Sequence, residues 1–168
     1  MDDRLQRHDA DISELPGAAR AAALDALVVD LRSRTPPCAT SGSYVTAVRW
    51  IPGLDAAERR WVGDRTAGLF DDPGVQARAF APLALALARI VDAGDWRREW
   101  WEAFAGWYPG ETDLRGYDPV LGWVHAAAHG ADLLAALARR PQQDPEPLIE
   151  LAVARVGRHR ACLRRPGG

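Results

Sequence analysis

The chain has 168 residues, of which 48% are hydrophobic and 26% are charged, and its formal net charge is −2. This composition is typical of a soluble globular protein and excludes a long disordered segment. All 21 basic residues are arginine, and 23 residues are acidic, so no net positive charge favours a nucleic-acid partner. A nucleic-acid-binding function is therefore not expected.

No segment of the chain predicts a membrane span or a secretory signal. The longest apolar run, residues 79–88, has ten residues, about half of the length that a spanning helix needs. The first residues are polar and charged, unlike the apolar core of a signal peptide. Two cysteines are too few for a disulfide framework, so we expect a cytoplasmic protein with no membrane association.

The residue pattern predicts an all-α fold. Alanine, the residue with the highest helix propensity, is the commonest residue, and no clear run alternates polar with apolar residues. We expect a single domain over residues 1–168, built as a helical bundle or a short α-solenoid of five to seven helices. Its two ends, residues 1–15 and 163–168, are expected to be frayed.

Caps and breakers predict five or six of these helices, over about residues 16–33, 55–70, 75–91, 96–108, 119 or 123 to 139, and 145–162. Residues 35–53 are predicted to be irregular, with a short helical turn near residues 45–50. The second helix begins at Asp55, which forms a capping-box pattern with Glu58. Asp95 is the expected N-cap of the fourth helix.

Two of these helices are expected to supply much of the core. Pro82 should kink the third helix, and Arg78 within that helix needs a partner such as Asp113 or Asp132, since an unpaired buried charge is costly. The fourth helix carries a stripe of aromatic rings, interpreted mainly as core, with a base-stacking or ligand platform as the alternative. The expected core includes Phe80, Leu83, Leu87, Trp100, Phe104 and Leu134.

A group of polar residues in the fifth helix predicts a functional site. His125, His129 and Asp132 fall on one face of an ideal helix, with Trp123 on the opposite face. Two histidines four residues apart can bind one metal ion, and Asp132 would then orient the ring of His129. The general base of the metalloprotease motif is missing, because Ala126 follows His125. The alternative is a solvated or hydrogen-bonded structural face without a ligand.

The glycine-rich loop before this helix supplies further candidates. Asp113, Arg115 and Tyr117 are expected to act with the two histidines and Asp132 as catalytic residues. Glu111 or Asp113 would complete a divalent metal site, such as a zinc site, on His125 and His129. Arg115 is expected to be partly buried and held by a carboxylate, from Asp113, Asp118 or Asp132. The alternative for Asp113 and Arg115 is a structural ion pair that holds the loop.

Residues 111–134 carry the pattern E-x-D-L-R-G-Y-x-P-x-x-G-W-x-H-A-x-A-H-G-A-D-L-L. This pattern resembles the signature of an uncharacterised bacterial helical family, known only as a domain of unknown function. Residues 78–86 are similar to a second element of that family, R-S-F-S-x-L-x-L-A, with Ala79 in place of the usual serine. The resemblance covers about residues 60–140. It implies an all-helical, HEAT-like arrangement and supplies no reaction.

Two functions follow from these observations, and a HEAT-like nucleic-acid binder is a weaker third. The first is a small enzyme or ligand-binding protein with a pocket of His, Asp and Arg, acting on a small polar ligand by metal-assisted hydrolysis or acid–base chemistry. The second is a non-catalytic helical module that binds a protein or peptide.

Overall fold

The computed structural model describes residues 11–32, 39–87, 96–141 and 143–163, with all side chains except those of residues 39–43, 83–87 and 159–163. The described residues form seven α-helices: α1 (Gly17–Leu31), α2 (Ala39–Trp50), α3 (Ala56–Ala67), α4 (Val75–Leu87), α5 (Arg98–Trp107), α6 (Ala126–Ala138) and α7 (Pro145–Leu163). Two-residue strands β1 (Tyr117–Asp118) and β2 (Gly122–Trp123) pair between α5 and α6. The predicted all-α class is confirmed, and the small sheet is an addition to it.

One hydrophobic core joins residues from Ile12 to Leu151. The helix pair α4 and α6 forms its centre and packs side by side. The aromatic stripe of α5 is core, as predicted: Trp100 and Phe104 are 1% and 0% exposed. Phe80 belongs to the same core and Leu134 packs against its edge. The side chains of Leu83 and Leu87 lie outside the described set.

Most helix boundaries agree with the sequence, and the capping box at Asp55 is confirmed. The Asp55 carboxylate accepts hydrogen bonds from the N–H groups of Ala57 and Glu58, and Glu58 accepts one from the N–H of Asp55. The expected closure of the third helix and the cap at Asp95 lie outside the described residues. Of the expected frayed ends, residues 12–14 form a short 3₁₀ turn with Ile12 buried.

The prediction for residues 35–53 is wrong over α2. This segment contains a three-turn helix because Ala47 and Trp50 are both 2% exposed and pack in the core. The local sequence has weak helix-forming residues, so tertiary burial rather than propensity stabilises α2. The start of the fifth predicted helix is also later than expected, since α6 begins at Ala126.

Candidate functional site

A buried ion pair joins α4 to the segment after α5. Arg78 Nε donates to Glu111 Oε2 at 2.6 Å, and Arg78 Nη2 lies 3.3 Å from Glu111 Oε1. The Glu111 side chain is 2% exposed. The expectation that Asp113 or Asp132 pairs with Arg78 is therefore wrong. The carboxylate of Glu111 occupies the position facing Arg78.

Glu111 organises the chain around it. Its carboxylate also accepts hydrogen bonds from the Trp107 indole N–H at 2.8 Å and from the Asp113 backbone N–H at 2.9 Å. Burial raises the pKa of Glu111, but the hydrogen bonds from Arg78, Asp113 and Trp107 more than offset burial, so the pKa lies below its ordinary value. Glu111 is thus ionised at neutral pH and fixes the start of the loop.

A second ion cluster lies further along the loop. Arg115 donates to Asp113 at 3.0 Å through Nε and also pairs with Asp118. Two of the three carboxylates expected to hold Arg115, Asp113 and Asp118, do so, and the Arg115 side chain is 48% exposed. The guanidinium of Arg115 lowers the pKa of Asp113, and the N–H groups of Leu121 and Val120 together with Arg115 lower the pKa of Asp118. The charges of these three side chains are therefore engaged with one another.

Asp118 also shapes the β1–β2 hairpin. Its Oδ1 accepts hydrogen bonds from the backbone N–H groups of Val120 and Leu121, at 2.9 and 2.8 Å. Gly122 follows with φ of +80°, a left-handed conformation that glycine adopts without strain. Tyr117 is the cross-strand partner of Trp123, and their rings meet edge to face with centroids 5.1 Å apart. The sequence did not predict this strand pairing.

His125 does not belong to the helix. It precedes α6 with φ of 51°, a left-handed conformation that is uncommon for a residue other than glycine. Its N–H donates to the Arg115 carbonyl at 3.1 Å, and its ring lies beside Gly116, where a Cβ atom would be 3.2 Å from Cε1. Its ring stacks on Trp123 with centroids 4.9 Å apart. The prediction that Trp123 faces away from the histidines is wrong, because both residues precede the helix.

His129 lies on α6 and points toward α4. Its Nδ1 is 2.9 Å from the Ala79 carbonyl, so Nδ1 carries the proton and donates it, and Nε2 is an acceptor in the neutral ring. Its ring centroid is 5.2 Å from that of Phe80 and 5.9 Å from that of His125. Burial, together with the charge of His125, lowers the pKa of His129. The sequence predicts that both histidines point toward the loop of residues 111–118; His125 lies beside that loop, at Gly116, whereas His129 faces α4.

The rings of Tyr117, Trp123, His125, His129 and Phe80 form one continuous series of contacts. The series runs from solvent, where Tyr117 and Trp123 are each 58% exposed, to the core at Phe80, which is 6% exposed. We call residues 117–125 the aromatic hairpin. Asp132 is exposed on α6, one turn after His129. Within the described part of the chain it makes no hydrogen bond to either histidine or to Arg115.

Only two of the predicted metal ligands, His125 and His129, lie close together. Among residues whose side chains are described, no group of three His, Cys, Asp or Glu is placed to hold a metal ion. His125 and His129 are neighbours, whereas both oxygens of Glu111 are occupied by Arg78, Trp107 and Asp113. The metal site stays a prediction from the sequence.

Two clefts flank the Arg78–Glu111 pair. A cleft of about 560 Å³ lies between α5 and the turn before α4, with Trp107 and Phe70 in its wall. A second cleft of about 360 Å³ lies between the start of α4 and the loop, with Gln76 and Leu121 in its wall. Neither of these two clefts is lined by His125 or His129. His125 and His129 are each half-buried.

A family model described as "Protein of unknown function (DUF2785)" matches residues 68–164, more than half of the chain. The chain belongs to the DUF2785 family. The matched region contains the Arg78–Glu111 pair, the ion cluster and the aromatic hairpin of this DUF2785 protein. No curated protein and no solved structure matches the chain. In the described residues of this family member, no helix has the length and apolar character to cross a membrane.

The lowered pKa of His129 predicts a loss of stability of this DUF2785 protein on mild acidification. The unfolded chain binds a proton at the ordinary histidine pKa, about 6.5, while the folded protein resists protonation to a lower pH. The free energy of unfolding should therefore fall as pH drops below about 6.5. Urea unfolding at pH 7 and pH 5.5 measures this loss, which should be smaller in His129→Gln. An equal loss in the two proteins would contradict the assignment.

Proposed function

We propose that the protein is a non-catalytic binding module that recognises a peptide or a segment of a partner protein through the aromatic hairpin. The observation that carries this proposal is the exposure of Tyr117 and Trp123, each 58%, at the outer end of an ordered series of rings. Exposed tyrosine and tryptophan on a fixed backbone are typical of the residues that dominate binding energy at protein interfaces.

The rigidity of the hairpin supports this function. Asp118 holds the turn, Arg115 joins Asp118 to Asp113, and the stacked ring of His125 fixes Trp123 from below. A surface that is ordered before binding loses little conformational entropy when it binds. The tip of the hairpin adds Val120, which is 69% exposed. An exposed apolar tip and two exposed aromatic rings on one hairpin favour an apolar partner segment.

The structure gives less support to the predicted catalytic group. Asp113 and Arg115 pair with each other, and Asp132 is exposed on α6 and forms no hydrogen bond with Arg115 in the described part of the chain. A general base and an acid must both reach one substrate, usually at hydrogen-bonding distance. Of the predicted catalytic residues, only His125, His129 and Tyr117 belong to the ring series.

Selection from a random peptide library displayed on phage tests the proposal. Peptides with apolar and aromatic residues should be enriched on the wild-type protein. Their affinity, measured by calorimetry, should fall by about 2 kcal/mol in Trp123→Ala, the loss typical of a buried hot-spot residue. Tyr117→Ala should also weaken binding.

Val29→Ala is the matched control, since Val29 is 64% exposed on α1, outside the hairpin. This variant should bind the selected peptides like the wild-type protein. Circular dichroism should show that all three variants remain folded. Selected peptides that bind Trp123→Ala with wild-type affinity would contradict the proposal, as would the failure of the library to yield any binder.

A small polar ligand at His129 is a second candidate, favoured by one specific observation. The hydrogen bond to Ala79 leaves Nε2 as an acceptor, and the lowered pKa keeps the ring neutral, which suits a hydrogen-bond acceptor or a general base. A thermal-shift screen of small-molecule fragments tests this function. Its ligands should lose their stabilising effect in His129→Gln and keep it in Trp123→Ala. Hits that stabilise both variants equally would exclude His129 as the ligand-binding residue.

A further inference from the structure

The last helix carries an apolar stripe on its outer face. Ile149, Val153 and Val156 are 61%, 64% and 55% exposed, and their spacing of four and three residues places them in one line along α7. The inner face of the same helix is buried against the rest of the protein, since Leu148 and Leu151 are 6% and 7% exposed and pack in the core. A second apolar line on a helix that is already anchored indicates a further packing partner.

The charges along α7 indicate which partner fits. Glu146, three residues before Ile149, is exposed at the amino end of the stripe. Helical spacing extends the stripe at its other end to position 160, four residues after Val156, which the sequence fills with arginine. The line is therefore acidic, apolar and basic in that order. Such a line is complementary to an antiparallel copy of itself.

We propose that two copies of the chain associate through antiparallel α7 helices about a two-fold axis at Val153. In this register, Val153 packs against Val153 of the second copy, and position 146 of one copy faces position 160 of the other. Ile149 faces Gly157, where a Cβ atom would have no neighbour within 4 Å. The glycine thus leaves room for the larger side chain and allows the helices to approach closely.

The proposed dimer is independent of the aromatic hairpin. The hairpin, residues 117–125, lies between α5 and α6, whereas the apolar stripe lies on α7. A single pair of helices gives an interface at the small end of the range for specific association, so the dimer should be weak and concentration-dependent. Two copies would make a protein that presents two hairpins.

Sedimentation velocity over a range of concentrations tests the proposal. The wild-type chain should shift from monomer to dimer as concentration rises, and Val153→Glu should raise the dissociation constant by more than about tenfold, since two carboxylates would meet at the axis. Val29→Glu is the matched control, because Val29 is also 64% exposed. It should dimerise like the wild-type chain. A wild-type chain that stays monomeric, or a Val153→Glu variant that dimerises normally, would overturn the proposal.

A cysteine cross-link tests the register. In a background in which Cys38 and Cys162 are replaced by serine, Val153→Cys should form a disulfide-linked dimer under mild oxidation. Glu150→Cys, one turn away on the same helix, should cross-link much more slowly. Reversal of charge gives a second readout: Glu146→Arg should weaken the dimer, and adding Arg160→Glu should restore it. Efficient cross-linking at position 150 and not at 153 would exclude the antiparallel register.

Discussion

Replacing Glu111 with alanine should lower the free energy of unfolding by about 3–5 kcal/mol, the cost typical of leaving a largely buried charge without its partner. Arg78 loses its carboxylate, and the Trp107 indole and the Asp113 backbone N–H lose their acceptor. Urea unfolding followed by circular dichroism measures this loss. We also expect the loop to move, because Glu111 joins α4, α5 and the loop in one cluster.

The matched control for this change is Glu102→Ala. Glu102 pairs with Arg98 on the surface of α5, and the two side chains are 57% and 87% exposed. Exposed pairs of this kind contribute at most about 1 kcal/mol, so Glu102→Ala should have little effect. A Glu111→Ala protein as stable as Glu102→Ala would contradict the role given to the buried pair.

The Arg78–Glu111 pair also predicts how the free energy of unfolding changes at acidic pH. The pKa of Glu111 is lower in the folded protein than in the unfolded chain, so its contribution is present above the unfolded pKa, about 4.3. That contribution is lost as pH falls through the folded pKa. The stability of Glu111→Gln should therefore fall less steeply below about pH 4 than that of the wild-type protein.

The second large effect is expected at Gly130, where α6 packs against a buried tyrosine. A Cβ atom at position 130 would lie 2.1 Å from Cε2 of Tyr108, far closer than atoms can approach. The ring cannot rotate away freely, because it stacks on Phe104 and its hydroxyl donates to the Ala127 carbonyl at 2.8 Å. Gly130→Ala should destabilise the fold by about 1–3 kcal/mol, although alanine favours helix by roughly 1 kcal/mol.

Gly106→Ala is the control for this prediction. Gly106 also lies in a helix, α5, but a Cβ atom at this position would meet nothing within 4 Å. Here the helix propensity of alanine acts alone, so the variant should be as stable as the wild-type protein or slightly more stable. Thermal unfolding of the two variants side by side separates steric overlap from propensity. A Gly130→Ala protein that gains stability would contradict the packing of α6 against Tyr108.

Features that depend on neighbouring residues were predictable from the sequence. The capping box at Asp55 involves residues within three positions and is confirmed. The pairing of Arg115 with Asp113 is equally local. Caps and turns form when short side chains bind nearby backbone groups, so the local sequence is enough to predict them.

Features that depend on distant residues were not predictable. Arg78 and Glu111 are 33 positions apart, and nothing local distinguishes Glu111 from Asp113 as the partner of Arg78. Helix α2 owes its stability to burial of Ala47 and Trp50 rather than to its own sequence. The sequence analysis placed His125 on the helix with His129, because the two are four residues apart. In the structure, His125 has a left-handed backbone and α6 begins only at the next residue.

The central claim, that the aromatic hairpin is the binding surface, is tested most directly by nuclear magnetic resonance. Each of the seven tryptophans gives an indole N–H signal, so a library-selected peptide can be titrated against all of them at once. We expect the signal of Trp123 to shift with the peptide, while those of Trp100 and Trp107, buried in the core, stay in place. Shifts confined to residues outside positions 117–125, with Trp123 unchanged at saturation, would contradict the account.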